Sequence, residues 1–209
     1  MSVEANVAAG ARTPVAPGQQ TAGSPIAGVI RRAAEATGAS FDYLLATAKV
    51  ESNLKPELKA KTSSATGLFQ FIEQTWFAMM KQTGDTLGFG RYADAITRTQ
   101  SGRYQVADPA MRDEILQLRK DASANAAMAG AFTQQNASVL KTRIGRTPTH
   151  GELYAAHFFG PTGAAKLIQA RETTPTASAA QLFPSAAAAN RSIFYDRQGQ
   201  TRSVAGVYD

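Results

Sequence analysis

The chain has 209 residues, 44% hydrophobic and 18% charged, enough for one globular domain with a proper core and a tail or two. It contains no cysteine, which excludes disulfides, thiolate zinc sites and cysteine nucleophiles, and its apolar runs, such as Ala186 to Ala189, are too short to span a bilayer. The net charge of +6 favours polyanionic partners of any kind, but the best basic cluster, Arg31-Arg32, is too small for a nucleic-acid interface.

Residues 1–24 are rich in Ala, Gly, Pro, Gln and Thr, with almost no large apolar side chain. Such a segment cannot bury enough surface to offset its ordering entropy, and a disordered arm is expected. It does not read as a Sec signal, since no basic leader precedes an apolar core. From Ser24 the pattern turns helical, with Ile26, Val29, Ile30 and Ala33 on one face and Gly38 as the stop. A second helix is expected from Ser40, a good N-cap, with Phe41, Leu44, Leu45 and Ala48 forming its stripe. Glu51 lies three residues past Ala48 and seven past Leu44, so it continues that stripe until Pro56 stops the helix.

After a polar loop, Gly67 is expected to open a helical stretch containing Leu68, Phe69, Phe71, Ile72, Trp76, Met79 and Met80, closed by Gly84. Gly84 to Asp108 has little periodicity and reads as a long loop of the functional or disordered kind. Pro109 suits a first helical position, and Ile115, Leu118, Ala122, Ala126, Ala129 and Phe132 predict one long helix to Leu140. Thr149-His150-Gly151-Glu152 fits a capping box for a helix through Phe159. Gly160-Pro161 breaks it, and Thr162 to Arg171 forms one more. The tail from Thr173 is rich in Ala, Pro and Ser, with Ile193, Phe194 and Tyr195 able to dock a last short element. No segment reads convincingly as a strand. The expected fold is an all-α domain of roughly seven helices, divided as arm 1–24, domain 25–172 and partly ordered extension 173–209.

The chemistry centres on Glu51. A carboxylate ending an apolar stripe points to the core or a cleft, where burial favours its protonated form, as a glycosidase acid requires. Spacing alone favours the plainer reading, an amphipathic-helix Glu turned to solvent at the end of the helix. The neighbouring residues separate the two readings: Glu51-Ser52 is followed by Gly67-Leu68-Phe69-Gln70 and then Trp76. This order resembles the catalytic core of the soluble lytic transglycosylase family, in the lysozyme-like superfamily. There a helix ending in Glu-Ser precedes a Gly-Leu-Met-Gln segment and, later, an Ala-Tyr-Asn-Ala-Gly segment. The resemblance runs from Ile26 to Arg171, with the third segment altered to Ala156-His157-Phe158-Phe159-Gly160.

The resemblance implies a goose-type, lysozyme-like helical domain that cleaves the MurNAc-β-1,4-GlcNAc bond of peptidoglycan and leaves 1,6-anhydroMurNAc ends. Glu51 would be the single catalytic acid/base, with Ser52 beside it, Gln70 binding sugar and Gly67 letting the backbone approach the glycan. His157 stands where the family has a Tyr that hydrogen-bonds the Glu, and Phe158 where it has an Asn; Tyr154, one turn earlier, offers a hydroxyl instead. As a neutral ring His157 can donate to Glu51, as a cation it would depress the Glu pKa, and as a core residue it does neither. Two alternatives stay open: a muramidase using the same acid with water, and an inactive lysozyme-like module that binds glycan as a scaffold.

No cofactor is expected. His150 and His157 are the only histidines, and seven residues apart without clustered carboxylates they make a poor metal site. The expected partner is the glycan strand, with no nucleic acid and no membrane insertion. A monomer is expected, and the polar arm would suit recruitment to an envelope-spanning machine. Such a substrate implies the periplasm or cell envelope. In the segment 84–108, Phe89, Tyr92 and Tyr104 suit sugar stacking, and Arg91, Arg98 and Arg103 suit stem-peptide carboxylates; anchoring the loop is the plainer role.

Overall fold

The structure, a computed structural model, describes residues 25–209; the arm expected over 1–24 lies outside them. They are predominantly helical, with eleven α-helices and one two-stranded sheet among them. Two compact units divide the chain, one ending at Gln134 and the other comprising Gln135–Asp209.

In the first unit, α1 (Pro25–Thr37) buries Ala27, Ile30, Ala33 and Ala34 before Gly38 turns the chain at a φ of 74°. Helix α2 (Phe41–Ser52) is capped by the Ser40 hydroxyl, which accepts from the Tyr43 N–H. It ends at Ser52, four residues before Pro56, because Asn53 adopts the left-handed conformation and returns its N–H to Ala48 and Lys49.

The segment expected to be helical from Gly67 is instead a tight turn. Thr66 bridges both Lys59 and Phe71, Gly67 and Gln70 have positive φ, and α3 begins only at Glu73 and runs to Thr83. The stripe of apolar residues is present, but two left-handed positions three residues apart are incompatible with a helix. The segment 84–108 is also more ordered than its composition implies. It holds α4 (Gly90–Ala95) and a hairpin of β1 (Ile96–Arg98) with β2 (Tyr104–Val106), paired Ile96 to Val106 and Arg98 to Tyr104. Three-residue strands are too short to show alternation, and the Gln74 side chain completes the pairing by bonding both the N–H and the C=O of Tyr104, at 3.0 and 2.9 Å.

Helix α5 (Pro109–Gln117) begins with the expected proline, behind an Asp108 cap. The single long helix expected to Leu140 is in fact two: a tight turn at 118–120 separates α5 from α6 (Ala122–Ile144). Asp121 causes the break, its carboxylate accepting the Ala124 N–H as an N-cap would. The unit closes around Trp76, which is fully buried, donates its indole N–H to Ile115 O at 2.8 Å, and meets Phe71 edge-on at 5.4 Å.

The second unit holds the end of α6 and α7 (His150–Thr173), which opens with the expected Thr149/Glu152 capping box. Gly160, at φ 70° and ψ 161°, kinks α7 just before Pro161. Four short helices follow: α8 (Ala179–Leu182), α9 (Pro184–Ala189), α10 (Arg191–Phe194) and α11 (Val204–Tyr208). They raise the helix number above the seven expected, because the small residues of the tail pack around Phe194, Phe158 and Leu167. Phe159 reaches this cluster too, its ring 4.7 Å from Phe183 and 6.0 Å from Phe194.

Glu152 locks this unit. Its buried carboxylate accepts from both Arg146 terminal nitrogens at 2.8 and 2.6 Å, from the Thr149 N–H at 2.7 Å and from the Tyr208 hydroxyl at 2.8 Å. The Arg146 guanidinium above all, with the Thr149 N–H and Tyr208, outweighs burial and holds the carboxyl down at about 2. A carboxyl depressed in the folded state adds stability that is present above pH 4.5 or so and lost as pH falls towards 2. The exposed Arg146 is screened by water, so we expect on the order of 2 kcal/mol. Melting curves between pH 6 and about 2 should show the loss in wild type and a flatter profile in Glu152→Gln.

Candidate functional site

The C-terminal turn of α2 presents Glu51 half-buried, one turn past the fully buried Ala48. Tyr43, Thr47 and Glu51 recur every four residues and therefore share a face of the helix. Burial, joined by the negative charge of Glu51 and opposed by a hydrogen bond with Thr47, pushes the Tyr43 phenol up to about 12. Tyr43 is thus a neutral hydroxyl at any working pH.

The turn after α2 is fastened from three sides. The Ser52 hydroxyl is buried and shared between Ala48 O at 3.0 Å and Leu68 O at 2.9 Å, joining the end of α2 to the turn. Asn125 of α6, fully buried, accepts the Phe69 N–H at 2.9 Å and donates to Arg119 O at 2.8 Å. Arg119 is buried as well and donates to Ser64 O, Phe71 O and Leu116 O at 2.7, 3.2 and 3.2 Å. Spreading its charge over three carbonyls lets the guanidinium stay inside while it shapes the segment 64–71.

Gly67 has a φ of 92°, and a Cβ there would lie 2.0 Å from Arg119 O and 2.4 Å from the Asn125 amide. Its close approach is to the chain's own 119–125 segment. Gln70 donates to Leu58 O at 3.1 Å and Gly67 O at 2.8 Å, so both amide hydrogens are held internally and its carbonyl oxygen is what it can offer outwards. Asn53, Leu54 and Gln70, at φ 51°, 62° and 47°, are the only non-glycine residues with positive φ among those described. All three flank Glu51 or end its partner turn. Strain of this kind persists only where surrounding contacts impose it, and it gathers at functional sites.

The surface here is basic and partly apolar. Lys49, Lys55, Lys59 and Lys61 are exposed and form no ion pair among the described residues. Val50, 61% exposed, and Leu58, 38%, are the exposed large hydrophobic side chains.

Glu51, Ser52, Gly67 and Gln70 are therefore brought together in the first unit. Tyr154 and His157 lie in the second, one turn apart on α7, with rings stacked at 12° and 6.1 Å between centroids. Burial pushes the His157 imidazole down to about 4, so it is a neutral ring at pH 7. Proton NMR of the ring should show no His157 titration between about pH 5.5 and 8; a midpoint near 6.5 would mean a solvated ring.

Sequence reasoning passed over Tyr43, Arg119 and Asn125. Asn125 had a visible signal: it sits on the stripe of Leu118, Ala122, Ala129 and Phe132, where a polar residue in a core position calls for a buried partner. Arg119 had none, since nothing in its neighbours distinguishes it from a solvated arginine.

Residues 28–108 match the family model of the transglycosylase SLT domain. The matched stretch contains Glu51, Ser52, Gly67 and Gln70 and ends before Tyr154 and His157.

Proposed function

Because residues 28–108 belong to the transglycosylase SLT domain family, of the lysozyme-like superfamily, a domain that acts on peptidoglycan, we propose that this chain is a lytic transglycosylase whose single acid/base is Glu51. One observation carries the reading: Glu51 is half-buried at the C-terminal end of α2, beside Ser52, whose hydroxyl ties that end to Leu68 in the turn that Arg119 and Asn125 clamp. That is a rigid mounting for one half-buried carboxyl.

The chemistry follows from there being one acid. Glu51 gives its proton to the glycosidic oxygen, the bond from that oxygen to C1 of MurNAc breaks, and the neighbouring acetamido group supports the charge at C1. The resulting carboxylate takes the proton of the same sugar's 6-hydroxyl as that oxygen closes on C1. Glu51 regains its proton, no water is consumed, and a 1,6-anhydro end remains. An intramolecular nucleophile needs no second carboxylate to position it. Glu73, the nearest downstream carboxylate in sequence after Gln70, is engaged with Arg112 at 2.7 Å. Gln70 would accept from a sugar hydroxyl or amide through its carbonyl oxygen, Val50 and Leu58 would face the sugar's apolar edges, and Ser52 and Gly67 serve to position the turn. The substrate implies action in the cell envelope.

The test is a digest of purified peptidoglycan by wild type and Glu51→Gln, with released muropeptides read by mass spectrometry. Anhydro ends lost in the mutant are expected. Reducing ends, heavier by one water, would make the protein a muramidase with the same acid. Absence of release by folded, sacculus-bound protein would leave a glycan-binding module.

A further inference from the structure

Outside the Glu51 turn, the first unit carries a second concavity. It encloses about 240 Å³ between the start of α3, the β1–β2 hairpin and α5, with Glu73, Phe77, Arg103, Tyr104, Gln105 and Arg112 in its wall. Its walls are fixed: Gln74 holds Tyr104 by two backbone hydrogen bonds, Gln82 holds the Tyr104 hydroxyl at 3.1 Å, and Arg112 is placed by Glu73 at 2.7 Å. The hairpin turn that presents Arg103 is closed by Thr99, which accepts the Arg103 N–H at 3.1 Å and donates its own N–H to Arg103 O at 2.8 Å.

The charges in this wall do not balance. Arg112 is matched by Glu73, whereas the exposed Arg103 guanidinium makes no ion pair or hydrogen bond among the described residues. The three charged groups lining the pocket, two arginines and one glutamate, therefore leave one positive charge. A planar, five-donor cation held at the mouth of a small polar pocket matches a carboxylate in two-point fashion, which a lysine would not. The location fits the same ligand. Glu73 is three residues from Gln70, so the pocket wall starts within roughly 11 Å of Gln70. A glycan strand seated at Glu51 would carry peptides on alternate sugars, and each peptide not cross-linked through its C-terminus ends in a free carboxylate.

We infer that this pocket is a peptide-carboxylate subsite, in which Arg103 binds the free C-terminal carboxylate of a stem peptide hanging from the glycan. The inference rests on the peptidoglycan reading for its ligand, but its test does not depend on turnover. Arg103 adds binding at a place remote from the bond that breaks, so it improves capture of peptide-bearing strands over bare ones.

Binding is measured by calorimetry or NMR titration on the full chain carrying Glu51→Gln. The probe is a synthetic stem tetrapeptide, used once with a free C-terminal carboxylate and once as its C-terminal amide. The acid should bind at least about fivefold more tightly than the amide, and Arg103→Gln should abolish that difference. Arg103→Lys should restore only part of it. Arg197→Gln, which removes the same charge from an exposed position in the second unit, should change nothing. Because Arg103 is exposed, these variants are expected to melt as wild type does. Equal binding of acid and amide, an equal loss in Arg197→Gln, or no binding of either peptide overturns the subsite. Loss of all cleavage activity in wild type, with the peptide result intact, would instead overturn the transglycosylase reading.

Discussion

Glu51→Gln should lower the rate of muropeptide release by about a thousandfold or more, while leaving the fold and sacculus binding in place. The size of the effect follows from the double use of one group. A general acid or base is worth roughly a hundred- to ten-thousandfold in a single step, and in the proposed mechanism the same carboxyl would give a proton in bond cleavage and take one in ring closure. Gln is nearly isosteric and can do neither. The substitution also has a readout independent of substrate. The negative charge of Glu51 is one of the groups that raise the Tyr43 phenol, so its removal should lower the Tyr43 pKa from about 12 in an ultraviolet titration. An active Glu51→Gln would sink the acid/base assignment. An unmoved Tyr43 would mean that the two side chains do not face one another along α2.

The second large effect concerns stability. Gly67→Ala should cost about 3–5 kcal/mol and lower Tm by roughly 10–20 °C. Part of the cost is the left-handed backbone, at a φ of 92°, which for an L residue is worth on the order of 1 kcal/mol. The rest comes from a Cβ 2.0 Å from Arg119 O, a backbone atom that cannot swing away, and 2.4 Å from the Asn125 amide. Relief requires the turn or the 119–125 segment to move. Either movement loosens the buried bonds from Phe69 N–H to Asn125 and from Asn125 to Arg119 O, leaving polar groups unsatisfied. Gly199→Ala is the control. It also has a positive φ, 80°, but its Cβ would meet nothing within 4 Å, so only the smaller backbone cost is expected. If both variants melted alike, the close approach at Gly67 would not be what demands glycine.

The contrast between these two glycines also marks how far the sequence could be followed. Gly67 stood out from its place in Gly-Leu-Phe-Gln, yet the reason it must be glycine was assigned to the glycan. The structure shows the crowding atoms to be Arg119 O and Asn125, more than fifty residues away along the chain. The same distance hid the helix-to-turn change at 67–72. Its apolar spacing is genuine, but two left-handed residues are imposed there by contacts that no local window contains. Asp121 is a milder case: the long stripe through Ala122 overrode a capping residue that was plainly visible, and the helix broke where the cap stood.

What the sequence determined by itself was local or periodic in origin. Ser40 and Thr149 as helix starts, Gly38 as a stop, Pro109 as a first turn and the Gly160 break all follow from backbone chemistry within four or five residues. The helical class was legible too, because the apolar spacing of most helices is written along the chain. Only the tertiary structure decided the rest. It set the clamp of Arg119 and Asn125, the half-burial of Glu51, the pairing of the short hairpin, the unmatched Arg103 and the Glu152 lock on Tyr208. Each depends on which distant residue is brought alongside, and hydrogen-bond demand and charge balance exist only once both partners are in place.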